Sequence, residues 1–176
     1  MFYMFGNCPA MMEPPSVGNW NTSAVTNMGS VFSRCSSMTV PPTVGSWNTS
    51  NVTDMSWMFS DCSAMTEQPA VNNWNTSAVT NMDSMFNGCS KMPLLDINKW
   101  NFLKVTSKSN YLGLQDCPAL KELKVPAGAK IAGLSEHAAQ GEYVATWGNE
   151  EREIIGLTAA SMIATINAGN GAGTWK

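Results

Sequence analysis

Cysteine and tryptophan are the residue types in this chain that could do chemistry and that recur at a regular spacing. Thiolates can bind zinc or act as nucleophiles, and exposed indole rings can stack on sugars. The cysteines are 27, 27, 27 and 28 residues apart, at Cys8, Cys35, Cys62, Cys89 and Cys117. The tryptophans keep nearly the same interval, at Trp20, Trp47, Trp74 and Trp100. Such an interval predicts stacked structural units that share one core.

The cysteines are predicted to form a column of buried, reduced thiols. Their number is odd, and equivalent side chains of stacked units lie about 4.8 Å apart and point the same way, which suits packing better than an S–S bond. Zinc binding is not indicated, because there is no CxxC pair and the single histidine, His137, lies outside the repeats. We therefore expect no metal and no other cofactor.

The tryptophans allow two interpretations. They could form an exposed platform for sugar rings, or they could pack on one another in the core or at its edge, which is the more common fate of a tryptophan at a fixed point of a repeat. An asparagine follows each one, and this column is predicted to bond from unit to unit as a ladder. Its members are Asn21, Asn48, Asn75 and Asn101.

Composition limits the class of function. The chain has 176 residues, of which 44% are hydrophobic and only 13% charged, and its net charge is -3. It has no basic stripe for nucleic acid and no apolar run long enough for a membrane span. Asp54 and Asp83 do not recur as a pair within one unit, and no activated nucleophile is evident. The sequence therefore predicts that the protein is not an enzyme.

The repeats define residues 1–126 as one domain. Three near-identical units begin at Cys8, Cys35 and Cys62, a degenerate fourth begins at Cys89, and a fifth begins at Cys117. Residues 1–7 match the end of a unit, so we expect further repeats before them. Residues 127–176 lose the pattern and predict a small α+β cap, with strands at 141–147, 151–157 and 173–176 and a helix at 159–167.

Each unit contains two apolar patterns. One follows helical spacing, as in the second unit, and predicts a helical turn that faces the shared core. Its members there are Val52, Met55, Met58, Phe59 and Cys62. The other pattern is L-x-x-L-x-[IV], as at Leu120, Leu123 and Val125, and predicts a short strand. Prolines occupy this strand position in the first three units, where the strand should be irregular because proline cannot donate to a ladder.

The motif W-N-T-S-[AN]-V-T-[ND]-M-x-x-M-F-x-x-C-S-x-M resembles the Mycoplasma-type lipoprotein repeat, a domain family of unknown function. That family is similar to the BspA-type leucine-rich repeats of bacterial surface proteins. The resemblance implies an α/β repeat solenoid that is leucine-rich-repeat-like, with a short parallel strand and a helical turn in each unit of about 27 residues. It also implies an extracellular or cell-surface location and a role in adhesion, without catalytic residues.

Side chains between the constant core positions vary along the strand column and are the candidate binding residues on the concave face. They are Glu13, Val40, Glu67, Leu94, Asp96, Glu122 and Lys124. The favoured partner is a protein or glycan of a host, matrix or neighbouring cell. Two alternatives stay open: a structural spacer that self-associates through an open repeat end, and a glycan-binding accessory module that uses its tryptophans.

Overall fold

The computed structural model describes residues 1–106, 109, 111–126, 129, 131–132, 144–147, 150–153 and 173–175. Seven short strands lie in these ranges: β1 Leu94–Asp96, β2 Leu112–Gly113, β3 Glu122–Val125, β4 Ile131–Ala132, β5 Val144–Trp147, β6 Glu150–Glu153 and β7 Gly173–Trp175. Residues 1–106 contain no helix, and their only strand is β1.

Five strands form one sheet in the order β1-β3-β7-β5-β6. β1 and β3 are parallel, and the other neighbours are antiparallel. β2 and β4 form a separate parallel pair. β5, β6 and β7 overlap the three strands predicted after residue 126, whereas the helix predicted at 159–167 lies outside the described residues. Because β7 pairs with β3, the sheet is continuous across residue 126, where the sequence pattern changes.

The turn segments before each cysteine lie side by side in successive units and are joined by a ladder of backbone hydrogen bonds that runs in one direction. Outside these segments the N–H groups of Thr53 and Thr80 donate the opposite way, to the carbonyls of Thr26 and Thr53. In the first full unit, the N–H groups of Ser30 and Phe32 donate to the carbonyls of Ser56 and Met58, 26 residues further on, at 2.8 and 2.9 Å. In the next unit the N–H of Phe59 donates to Met85 in the same sense. Each turn segment therefore presents donors to the following unit and acceptors to the preceding one.

The segment that was predicted to be helical is instead a chain of turns. The first four copies of this segment each contain two residues with left-handed backbone conformations, as at Ser30 (φ 56°) and Arg34 (φ 60°), and one left-handed residue is enough to break an α-helix. The N–H groups of the ladder are bonded to the next unit, so they cannot serve the bonds of a helix within their own unit. The helical turn was thus a wrong prediction, although all five residues of its apolar face are fully buried.

Aromatic rings continue the stack through the core. The rings of Phe32 and Phe59 are 5.8 Å apart between centroids and 4° from parallel, and Phe86 follows at 5.4 Å from Phe59. Trp47 and Trp74 form a second column, 6.3 Å apart and 3° from parallel. Buried methionines supply much of the remaining core, where a flexible thioether adapts to irregular gaps.

The asparagine column does not form the predicted ladder between units. The side chain of Asn48 accepts hydrogen bonds from the N–H and hydroxyl of Ser50 in its own unit, at 3.1 and 2.7 Å. The bonds between units come from the buried threonines instead, as where the Thr22 hydroxyl donates to the carbonyl of Asn48. The asparagine closes a local turn because a short amide side chain reaches the backbone N–H two residues ahead.

Proline explains why regular strands begin only in the fourth unit. Pro42 and Pro69 are buried at the strand position and have no N–H to donate, and the segments around them make no ladder comparable to that between β1 and β3. At the outer edge of β1, the N–H of Asp96 donates a hydrogen bond to the side-chain oxygen Oε1 of Gln68. The proline units therefore protect the edge of the sheet from further pairing.

The left-handed position before each cysteine gives a first test of this fold. Gly88 occupies it with φ +70°, and a Cβ added there would meet Asp61 Oδ1 and lie 3.3 Å from Asp61 Cα. We expect Gly88→Ala to lower the free energy of unfolding by about 1–2 kcal/mol. Arg34→Gly at the equivalent position removes the same strain and should leave stability unchanged or raise it by up to about 1 kcal/mol. Urea denaturation measures the free energy of unfolding of both variants. Equal effects of the two substitutions would contradict a left-handed backbone at this position.

Candidate functional site

The seven candidate binding residues divide into two groups. Glu13, Val40 and Glu67 stand at equivalent positions of the first three units and are exposed, with Val40 at 54%. The other four lie on β1 and β3 and are half-buried. There Leu94 pairs in register with Glu122, and Asp96 pairs in register with Lys124. The structure therefore places the strand members side by side, as a row along one face requires.

Charge differs between these two groups. Lys124 Nζ lies 3.1 Å from Glu122 and 4.0 Å from Asp96, so one cation sits between two carboxylates. Within the described residues, neither Glu13 nor Glu67 forms an ion pair. Because the strand carboxylates are already engaged, the exposed acids of the first and third units are the ones available to a partner.

A surface groove of about 280 Å³ lies between the first two units, beside Glu13 and Val40. Proline rings form much of its wall; the complete lining is Glu13, Pro14, Pro15, Ser16, Val40, Pro41 and Thr43. A second depression of about 400 Å³ shares Ser16 and Thr43 with it and continues to Ala70 in the third unit. The two form one surface feature, the proline groove, which contains residues of three successive units.

The proline groove retains backbone groups that the fold does not use. In the described part of the chain, the N–H groups of Val40 and Thr43 have no hydrogen-bond partner. At the matching place between β1 and β3 the backbones pair in register. The prolines thus leave donors at the surface next to apolar rings, a combination that can bind a polar backbone or a hydroxylated ligand.

The thiol column is a core feature. All five cysteines are unpaired; Cys35, Cys62, Cys89 and Cys117 are buried, and Cys8 is half-buried. The Cys62 thiol donates to the carbonyl of Phe32, 30 residues earlier, at 3.2 Å, and the other buried thiols make the same contact with a phenylalanine carbonyl 30 or 31 residues earlier. Burial raises the pKa of Cys35 and of Cys117 to about 11, and it also raises the pKa of Cys62 and of Cys89 well above the usual value of a thiol. Neutral, hydrogen-bonded thiols are poor nucleophiles and poor metal ligands.

The tryptophan column is likewise part of the buried core. Trp47, Trp74 and Trp100 are only 3–4% exposed, and the indole N–H of each donates to a valine carbonyl of the preceding unit at 2.9–3.0 Å. Trp20 is the exception, at 37% exposure. A sugar platform made of all four rings is therefore ruled out, because three of them present no face to solvent.

Sequence reasoning overlooked two exposed aromatic residues. Trp57 is 43% exposed and Tyr3 is 45% exposed, and both have left-handed backbones at equivalent positions of different units. The available signal was a break in the repeat, since serine occupies this position at Ser30 and Ser84.

Metal-ligating groups do not gather in the part of the chain that the structure describes. No group of three or more His, Cys, Asp or Glu side chains there could hold a metal ion. His137 lies outside the described residues. No helix among them is long and apolar enough to cross a bilayer.

The described units share one core and carry variable side chains beside a surface groove. The chain belongs to the family described as Mycoplasma protein of unknown function, DUF285, whose sequence model matches residues 1–119. The matched range covers all five cysteines and ends just after the start of the fifth unit. Neither the curated proteins nor the solved structures contain a match.

Thiol accessibility tests the cysteine column. Under native conditions at pH 8 we expect only Cys8 to react rapidly with iodoacetamide, because the other four thiols are buried and have raised pKa values. In denaturant all five should react, as peptide mass spectrometry would record. Rapid native labelling of Cys62 or Cys89 would show that the column is open.

Stability should fall as pH rises through the range in which exposed thiols ionise. The folded pKa of the buried thiols lies above the unfolded value near 9, so the unfolded chain loses protons first. Between pH 9 and 11 each such thiol lowers the free energy of unfolding by at most about 1.4 kcal/mol per pH unit. We expect the double variant Cys62→Ala, Cys89→Ala to have a flatter profile in denaturant titrations. An unchanged slope would exclude thiol ionisation as the cause.

Proposed function

We propose that this chain is a recognition module of a bacterial surface protein, built as a leucine-rich-repeat-like solenoid of the BspA type. In this proposal it binds a macromolecule of a host, a matrix or a neighbouring cell through the row from Glu13 to Lys124. The location outside the cell follows from the resemblance of the repeat motif. No cofactor and no catalytic step are part of this role.

The proline groove is the observation that carries the proposal. It combines apolar proline rings, the exposed side chain of Val40 and two backbone N–H groups that have no partner among the described residues. It lies at the end of the row where Glu13 and Glu67 have no counter-ion in the same part of the chain. Protein interfaces commonly join apolar anchors to a polar rim in this way. The groove lies along successive units, so a partner could contact several of them at once.

The contrast between constant buried residues and varying exposed residues in the first three units supports the same proposal. The buried positions are filled by almost the same residue types in the first three units, whereas the row contains Glu13, Val40 and Glu67 at equivalent places. Varying these residues costs the fold little because they are exposed. The row can therefore be matched to a partner without disturbing the core.

A structural spacer or assembly unit is the second candidate. It is favoured by apolar side chains left exposed on the first residues of the stack, namely Phe2, Met4 and Met12, at 50–66% exposure. Such a patch suits contact between copies. The glycan module that uses the tryptophan column is not carried forward, because three of its four rings are buried.

A binding screen against matrix proteins, mucins and a glycan array tests the recognition role. The parent should bind at least one ligand, and the triple variant Glu13→Gln, Val40→Ser, Glu67→Gln should lose about tenfold or more in affinity. A matched control is the double variant Asp116→Asn, Leu103→Ser, which removes an exposed acid and an exposed apolar side chain elsewhere. Equal binding by the triple variant and the parent would remove the row from the site.

The spacer role would be favoured by two results together. The parent would bind no ligand, and its mass in analytical ultracentrifugation would rise with protein concentration. In that event Phe2→Ser with Met4→Ser should restore a monomer. Binding by a monomeric parent would leave the recognition role as the better account.

A further inference from the structure

The side chain of Gln68 shows what kind of group can bind in the gap between two units. Its oxygen Oε1 accepts a hydrogen bond from the N–H of Asp96 in the next unit. Counted forward from the cysteine and back from the tryptophan of each unit, the equivalent pair two units earlier is Pro14 and Thr43. The proline ring has no acceptor, and the N–H of Thr43 has no partner among the described residues. The Thr43 donor is therefore open to a neutral amide carbonyl of another molecule.

The Thr43 donor lies in the proline groove. Thr43 is exposed and, like Ser16, lines both depressions of the groove. Its carbonyl faces the first unit, because a Cβ added to Gly18 would lie only 3.1 Å from it. In extended backbone the N–H and C=O of one residue face the same side, and the N–H of Asp96 likewise faces the unit before it. An acceptor that enters the groove between the first two units therefore meets this N–H.

Successive units are in contact just before the exposed residues beside this groove. The N–H of Thr39 donates to the carbonyl of Met12 at 3.2 Å, and the N–H of Thr66 donates to that of Thr39 at 3.4 Å. The residues that follow these three are Glu13, Val40 and Glu67. Two steps of the stack separate the backbones of the two acids by about 10 Å, with an apolar residue between them.

Charge selects a cationic partner for this end of the row. Residues 1–90 contain five acidic side chains and one basic side chain, Arg34, which lies 3.8 Å from Asp61. Glu13 and Glu67 form no ion pair within the described residues, whereas Lys124 lies between two carboxylates at the other end. An anion would be repelled here, so the ligand that suits the groove joins neutral amide carbonyls to cationic side chains. A basic peptide has both.

We propose that the proline groove binds an extended, polyproline-type peptide that carries two lysine or arginine side chains three residues apart. A backbone carbonyl of the peptide accepts from the N–H of Thr43, its cations pair with Glu13 and Glu67, and its apolar part contacts Val40. Polyproline II has three residues per turn and rises about 3.1 Å per residue, so every third side chain lies on one face, about 9 Å apart. That spacing matches the separation of the two acids. The peptide site rests on the recognition role proposed above and names its class of partner.

Calorimetric titration of the parent protein with three synthetic peptides tests the peptide site. The first, acetyl-PPKPPKPPG-amide, has two lysines three residues apart and should bind. The second, acetyl-PPKKPPPPG-amide, has the same composition with adjacent lysines and should bind more weakly, by about fivefold or more. The third, acetyl-PPEPPEPPG-amide, has glutamate in place of lysine and should not bind, because it would meet the acidic end of the row.

Substitutions of the two acids locate the bound peptide. Glu13→Gln with Glu67→Gln should weaken binding of the first peptide by about fivefold or more, because both ion pairs are lost. Asp116→Asn is the matched control, since it removes an exposed acid outside the groove, and it should leave the affinity unchanged.

A substitution of Pro14 tests the hydrogen bond to the peptide. Pro14→Gln gives the first unit the counterpart of Gln68, whose oxygen then accepts from the N–H of Thr43 within the protein. We expect it to weaken peptide binding by about fivefold or more, and more than Pro14→Ala, which removes the ring without adding an acceptor. Both variants should unfold at a urea concentration close to that of the parent, since glutamine occupies this position in the third unit.

Three results would overturn the peptide site: no binding of the first peptide, equal binding of the first two peptides, or equal binding by the parent and the double glutamine variant. Equal affinities of Pro14→Gln and Pro14→Ala would remove the Thr43 hydrogen bond from it. The recognition role fails separately, because it is lost only if no ligand of the binding screen depends on Glu13, Val40 and Glu67.

Discussion

The hydrogen-bond ladder between successive turn segments is the constraint on which the rest of this structure depends. Each turn segment donates backbone N–H groups to the next unit and accepts from the previous one, so equivalent residues come into contact along the whole stack. Side chains at those positions must then pack against copies of themselves. This geometry favours residues whose rings or thioethers stack well, which accounts for the phenylalanine, tryptophan and methionine columns.

The same ladder explains the buried polar groups. Cysteine thiols and threonine hydroxyls sit in the core because each has a carbonyl of a neighbouring unit within reach, as for Cys62 with Phe32 and Thr22 with Asn48. A buried polar group is tolerated when its hydrogen bond is made. Columns of cysteine in a repeat can therefore be structural, with raised pKa values that follow from burial.

Surface features arise where the repeat interrupts regular pairing. The prolines of the first three units replace a strand by irregular backbone, leave the N–H groups of Val40 and Thr43 exposed, and open the proline groove. In the fourth and fifth units, strands return and their charged side chains pair through Lys124. The two ends of the row thus differ in charge and in available hydrogen bonds, although their sequence positions are equivalent.

The sequence by itself determined the unit length, the buried apolar face, the unpaired thiols and the irregular proline segments, because periodicity reports which side chains must share a core. It predicted helical turns wrongly, since spacing alone does not distinguish a helix from turns that bury the same face. It also assigned the asparagines a ladder that the threonines make. Only the tertiary structure decided the ladder direction, the pairing of Lys124 and the exposure of Trp57, since these depend on how each unit is placed against its neighbours, which the sequence of one unit does not contain.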